Sequence, residues 1–147
     1  MKLRSVLATK GSRVVTTTPD ATIREAIAML TEHNVGALLV VGPGETLAGI
    51  ISERDIIRAF AQREGVMALT VADLMTTSVV SGTPADDIEP VLQTMTARHF
   101  RHLPVVDDGH LVGLITIADL VKAQLTHYRG TVDTLELRLM ESGRAVS

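Results

Sequence analysis

Apolar positions along the chain follow two rhythms, and the same order of rhythms occurs twice. In the first half a short apolar run, Val14–Val15, enters a Thr-Pro turn. Ile23, Ala26, Ile27 and Leu30 then recur at helical spacing, which predicts an amphipathic helix from Thr22 to His33. Thr22 and Glu25 supply a capping box for its start. Two apolar runs, "ALLVV" and "LAGII", follow on either side of "GPGET" and predict a hairpin. A second helix is expected to begin at Ser52.

The second half repeats this order. Val79–Val80 lead to a helix from about Asp86 to Arg98, with Ile88, Val91, Leu92 and Met95 inside. Pro90 falls in its first turn, where a missing N–H costs little. "HLPVV" and "LVGLI" flank "DDGH", and the last helix starts at Thr116. Aligning 14–41 with 79–106 and 47–58 with 111–122 gives 13 identities in 40 positions. Unrelated chains of average composition would give roughly two or three.

The fold class predicted is α/β (α+β). Two tandem β-α-β-β-α units pack with pseudo-twofold symmetry, because one such unit alone buries too little surface. We divide the chain into a helical lead-in (1–13), unit one (14–62), a linker with a short helix near Val71–Met75 (63–77), unit two (78–124) and a helical tail (125–147). In the tail Val121, Leu125, Tyr128, Val132, Leu135 and Leu139 alternate spacings of four and three, a heptad seam. Gly130 weakens that helix by about 1 kcal/mol. The seam either packs back onto the units or pairs with a second subunit, and a homodimer is expected.

Composition narrows the chemistry. Hydrophobic residues at 46% and charged residues at 21% describe a folding chain rather than a disordered one. The net charge of −3 gives no drive toward nucleic acid or anionic membranes. The absence of cysteine excludes disulfides and thiolate sites. No apolar run is long enough for a signal peptide or a membrane span, so a cytoplasmic location is expected. The methionines at 29, 67, 75, 95 and 140 read as core filler, and Arg58 and Lys122 as solvated helix positions.

Two short stretches carry the candidate chemistry: "GIISERD" (49–55) and "GLITIAD" (113–119). Ser52 with Asp55, and Thr116 with Asp119, match an N-terminal helix cap worth roughly 1 kcal/mol. Two features exceed a cap. Asp is shorter than the Glu or Gln that capping boxes prefer. Gly49 and Gly113 also lie inside predicted strands, where glycine weakens pairing unless something approaches the backbone. A helix start exposes N–H groups to phosphate or sugar hydroxyls, and a carboxylate there can accept two hydrogen bonds from a ribose diol. The hydroxyl and the acid are read as serving both purposes.

The paired units, the repeated "G-h-h-S/T-x-x-D" and "RHLPVVDD" together resemble a CBS-domain pair (a Bateman module). The lead-in and its "KGS" stretch resemble the stand-alone bacterial type. No segment corresponds to the catalytic barrel of IMP dehydrogenase, another carrier of such a pair.

The resemblance implies two clefts between the units, related by a pseudo-twofold axis, for adenosine-containing ligands. Asp55 and Asp119 would hold ribose hydroxyls, and Ser52 and Thr116 the ribose or α-phosphate. Adenine would lie between a copy's first strand (Thr16, Thr17; Val80, Ser81) and its second (Gly36, Ala37, Leu38; Arg101, His102, Leu103, Pro104). Phosphates would meet Arg101 and Arg54, which converge across the interface, with Arg98 and His99 either joining them or complementing a helix dipole. The matching positions, Gly36 and Ala118, are uncharged, so the two sites are unequal. His99 and His102 lack a third ligand, so no metal is expected.

The function implied is a non-catalytic sensor for an adenine nucleotide, AMP foremost, with ATP, ADP or NAD(H) behind it. It would act on a protein partner in trans and require no cofactor. A scaffold without a ligand is the alternative. An enzyme lacks support, since no nucleophilic triad, phosphate loop or paired-carboxylate cleft is present.

Overall fold

The computed structural model describes residues 1–11 and 13–146. A lead-in helix α1 (Leu3–Lys10) precedes β1 (Thr16–Thr17), α2 (Ile23–His33), β2 (Ala37–Val41), β3 (Leu47–Ser52) and α3 (Glu53–Gln62). A connector with one short helix, α4 (Val71–Leu74), leads to α5 (Ile88–Arg98), β4 (His102–Asp107), β5 (His110–Thr116) and α6 (Ile117–Val146).

Helix starts follow their caps. The Thr22 hydroxyl accepts from the Glu25 N–H at 3.1 Å, and Ser52 caps α3. Asn34 and His99, 65 positions apart, both end their helices in the left-handed conformation, at φ 51° and 58°. Asn and His both adopt that conformation more readily than most residues.

The first sheet has the order β1-β2-β3, with β1 parallel to β2 and β2 antiparallel to β3. The second pairs β4 and β5 antiparallel. The first strands differ from expectation. Val14–Val15 stop short of the strand, which covers Thr16–Thr17, and Val79–Val80 form none. Instead Gly82 makes one parallel bridge to Val105. Space explains the glycine there, since a Cβ on Gly82 would sit 2.9 Å from Leu103 Cδ2 and 3.0 Å from Leu3 Cδ1.

Two aliphatic cores result; the first is contiguous in the chain, and the second takes its closing segment from the far N-terminus. The first gathers Ile23, Ala26, Leu38, Val40, Ile51 and Ile56 from copy one, closed by Val66 and Val71 from the connector. The second gathers Ile88, Met95, Leu103, Val105, Ile115 and Leu120 from copy two, closed by Leu3 and Val6 of α1. The two closing segments use the same bonds. Val71 N–H donates to Ala21 O and Ala72 N–H to Pro19 O. Leu3 N–H donates to Asp86 O and Arg4 N–H to Pro84 O, each acceptor 65 positions on. The lead-in is therefore to copy two what the connector is to copy one.

These closing segments account for the strand glycines. A Cβ on Gly49 would lie 2.6 Å from the Thr76 carbonyl oxygen, and one on Gly113 2.5 Å from Leu7 Cδ2. The close approach expected at these positions comes from the protein itself. Gly49→Ala is expected to cost about 1–3 kcal/mol, because the obstructing atom is backbone. Gly113→Ala should cost less, since the tip of Leu7 can rotate away. Denaturant titration of both variants checks the order, and equal costs would contradict it.

The first turn of α6 is anchored by Leu120, which is fully buried. Beyond it the helix does not fold back. Leu125, Tyr128, Val132 and Leu135 are 51–55% exposed and Leu139 72%.

Candidate functional site

Capping and cleft formation coincide at Ser52. Asp55 Oδ2 accepts from the Ser52 N–H at 2.8 Å and from Ser52 Oγ at 3.0 Å. Ser52 Oγ in turn accepts from the Asp55 N–H at 3.3 Å. The cap is complete, and it leaves Asp55 Oδ1 without a hydrogen bond among the described residues.

Both Ser52 and Asp55 line a cavity of about 380 Å³, which we call cleft one. Its other wall comes from copy two, through Val79, Val80 and the segment Arg98–His102. Thr76 and Ser78 of the connector and Gly36 complete it. The cleft therefore lies between the copies and brings Arg54 of one and Arg101 of the other into one cavity.

Its electrostatics favour an anion. Arg54, Arg58, Arg98 and Arg101 all line it, against the carboxylates of Glu53 and Asp55. The salt bridges among the described residues, Lys2–Asp87 and Lys10–Asp119, involve none of these four guanidiniums. Arg98 lies over the Phe100 ring, 5.9 Å from its centroid, a modest cation–π contact. Burial pushes the His102 imidazole below its ordinary pKa, and the Arg101 charge adds to this, with Glu53 opposing. Both effects favour the neutral imidazole.

The pseudo-symmetric cleft two is smaller, about 300 Å³. Thr116, Gly36 and Ala37 line it, with Val14, Val15, Arg13 and Lys10. Asp119 Oδ2 accepts from the Thr116 N–H at 2.9 Å and from Lys10 Nζ at 2.6 Å. Burial raises the Asp119 carboxyl, but hydrogen bonds from Lys10 and Thr116 and the lysine's charge hold it below the usual carboxylate range. Arg13 is engaged with His33 Nδ1 at 3.0 Å.

The expected adenine contacts divide. Gly36, Val80, Arg101 and His102 line cleft one, and Gly36, Ala37 and His102 line cleft two. Ser81 and Leu103 line a separate cavity against α5. Thr16, Thr17, Leu38 and Pro104 line neither cleft. Leu38 belongs to the first core and Leu103 to the second, because strand alternation turns these side chains toward the helices. Arg58, read from sequence as a solvated helix position, is exposed and also lines cleft one. It stands four positions after Arg54, on the same helical face, and that spacing was the available signal. Thr76, Ser78 and Lys10 come from segments outside the repeat and carried none.

Comparison with known proteins agrees with this architecture. The family described as CBS domain matches residues 5–62 and again 71–126. CBS domain-containing protein YhcV of Bacillus subtilis is 39% identical over 85% of this chain and 89% of its own. The mitochondrial CBS domain-containing protein CBSX3 of Arabidopsis thaliana is 38% identical, and the match spans 60% of its length and 80% of this chain. The crystal structure of the CBS-domain containing protein ATU1752 from Agrobacterium tumefaciens superposes with a TM-score of 0.81 at 35% identity, covering 84% of this chain and 99% of that one. The CBS domain pair of protein MJ0100, solved in complex with 5′-methylthioadenosine and S-adenosyl-L-methionine, gives 0.77 at 26% identity, covering 86% of this chain and 98% of that one. The chain belongs to the CBS-domain family, with two copies of the domain in tandem.

Proposed function

We propose that this protein is a non-catalytic sensor that binds an adenosine nucleotide in cleft one and reports it to a protein partner in trans. One observation carries the reading. A carboxylate with a free oxygen at a helix start shares a cavity with four guanidiniums that have no carboxylate partner among the described residues. Asp55 would take the ribose diol, Ser52 the ribose or α-phosphate, and Arg54, Arg58 and Arg101 the phosphates. Adenosine-type ligands in the MJ0100 pair support the ligand class. AMP is the foremost candidate, with ATP, ADP and NAD(H) next.

Because cleft one has a wall from each copy, a bound nucleotide ties the copies together. A ligand that prefers one packing of the copies shifts the population toward it, and a partner that reads that packing is coupled to the ligand. No helix among the described residues is long and apolar enough to cross a membrane, and we place the protein in the cytoplasm. The exposed seam on α6 supports a homodimer joined through this helix.

Thermal unfolding with AMP, ADP, ATP, NAD⁺, NADH and S-adenosylmethionine tests the reading. A ligand at a hundred times its Kd adds roughly 2.7 kcal/mol. At about 2–4 °C per kcal/mol for a chain of this size, the midpoint rises by several degrees. A flat response to all six compounds overturns the sensor.

A further inference from the structure

Lys10 lines cleft two and bonds to Asp119, the carboxylate expected there, which does not itself line the cavity. Lys10 Nζ donates to Asp119 Oδ2 at 2.6 Å and to the Leu114 carbonyl at 2.7 Å. In cleft one the corresponding carbonyl, Ile50 O, is taken by the Thr76 N–H at 2.9 Å, and no cation bonds to Asp55. The matching hydrogen bonds of α1 and the connector pair Leu3 with Val71 and Arg4 with Ala72. Counting on from those pairs, the counterpart of Lys10 is Ser78, a short neutral side chain in the wall of cleft one.

The lysine is delivered by a fixed element. Leu3 is fully buried and Val6 nearly so, which fastens α1 to copy two. Lys10 ends that helix, where the C-terminal dipole favours a cation.

We propose that Lys10 is a built-in occupant of cleft two, so that each chain takes one nucleotide, in cleft one. The Lys10 ammonium holds Asp119 Oδ2 and lines the cavity in that carboxylate's place, so that an entering ribose diol meets the cation rather than the acid. Asp119 and Thr116, expected from sequence to hold a second ligand, then serve to anchor α1 and cap α6. This rests on the nucleotide reading of cleft one and adds the stoichiometry.

Calorimetric titration with AMP, and with ATP and NAD⁺ in parallel arms, tests it at pH 7. Wild type and Asp119→Ala should each take one nucleotide per chain. Lys10→Met, which keeps the aliphatic stem, should take two, and adding Asp119→Ala to it should return the number to one. Two per wild-type chain, with one lost in Asp119→Ala, overturns the self-occupied cleft and leaves the sensor standing. A single site in folded Lys10→Met overturns it likewise. No uptake by any protein removes the sensor reading and this one together. Should Lys10→Met fail to fold, wild type and Asp119→Ala decide alone, since an open cleft two predicts different numbers for them.

Discussion

Leu3→Ala is expected to destabilise the protein by about 2–5 kcal/mol, the cost of truncating a fully buried leucine. The position looks innocuous in the sequence, third in a polar lead-in. Yet Leu3 has no exposed surface and packs with Ile88, Met95 and Leu103. The melting midpoint should drop by roughly 5–15 °C, at about 2–4 °C per kcal/mol. The loss should also be local. Hydrogen exchange is expected to accelerate in β4 and β5, whose core α1 closes, before it does in β2 and β3. A variant within 0.5 kcal/mol of wild type, the usual range for surface changes, would show that α1 is not part of the second core.

Asp55→Ala should weaken AMP binding by about a hundredfold or more, while Asp119→Ala leaves it nearly unchanged. A hydrogen bond to a charged group contributes about 1.5–3 kcal/mol. Two from a ribose diol to Asp55 therefore amount to at least two factors of ten, at 1.4 kcal/mol each. Both variants lose a helix-capping carboxylate, at a cost of roughly 1 kcal/mol of stability. Comparing them separates the cap from the ligand. Equal losses of affinity would mean that both clefts bind, or that the effect runs through folding. No loss in either would take Asp55 out of the ligand site.

Much of this architecture is written in the repeat. Ile23, Ala26 and Leu30, and in copy two Ile88 and Met95, fall at helical spacing and are buried as that spacing implies. Ser52 and Thr116 mark helix starts to the residue. The role of α1 was hidden by register. Its residues match the connector at an offset of 68, Leu3 with Val71 and Leu7 with Met75, whereas the repeat runs at 65. A comparison at one fixed spacing passes over them. Gly49 and Gly113 were legible as points of close approach, but glycine does not say what approaches. Thr76 and Leu7 do so, not a ligand. Spacing within a copy cannot tell which copy its helix start will face, and the placing of cleft one between copies came only from the family resemblance.

The exchange of closing segments has a consequence for what counts as half of this protein. Residues 1–62 contain one set of strands and helices, but the segment that completes their core lies just beyond them, at Val66 and Val71 of the connector. The Leu3–Val6 face they do carry belongs to Ile88 and Met95. Cut ahead of the connector, each fragment holds a lid made for its neighbour and lacks its own. Only by trading lids with another molecule could such fragments bury both faces, as in a domain-swapped dimer. The intact chain is that swap written into a single polypeptide, and the connector turns an encounter between molecules into an intramolecular step whose yield does not depend on concentration.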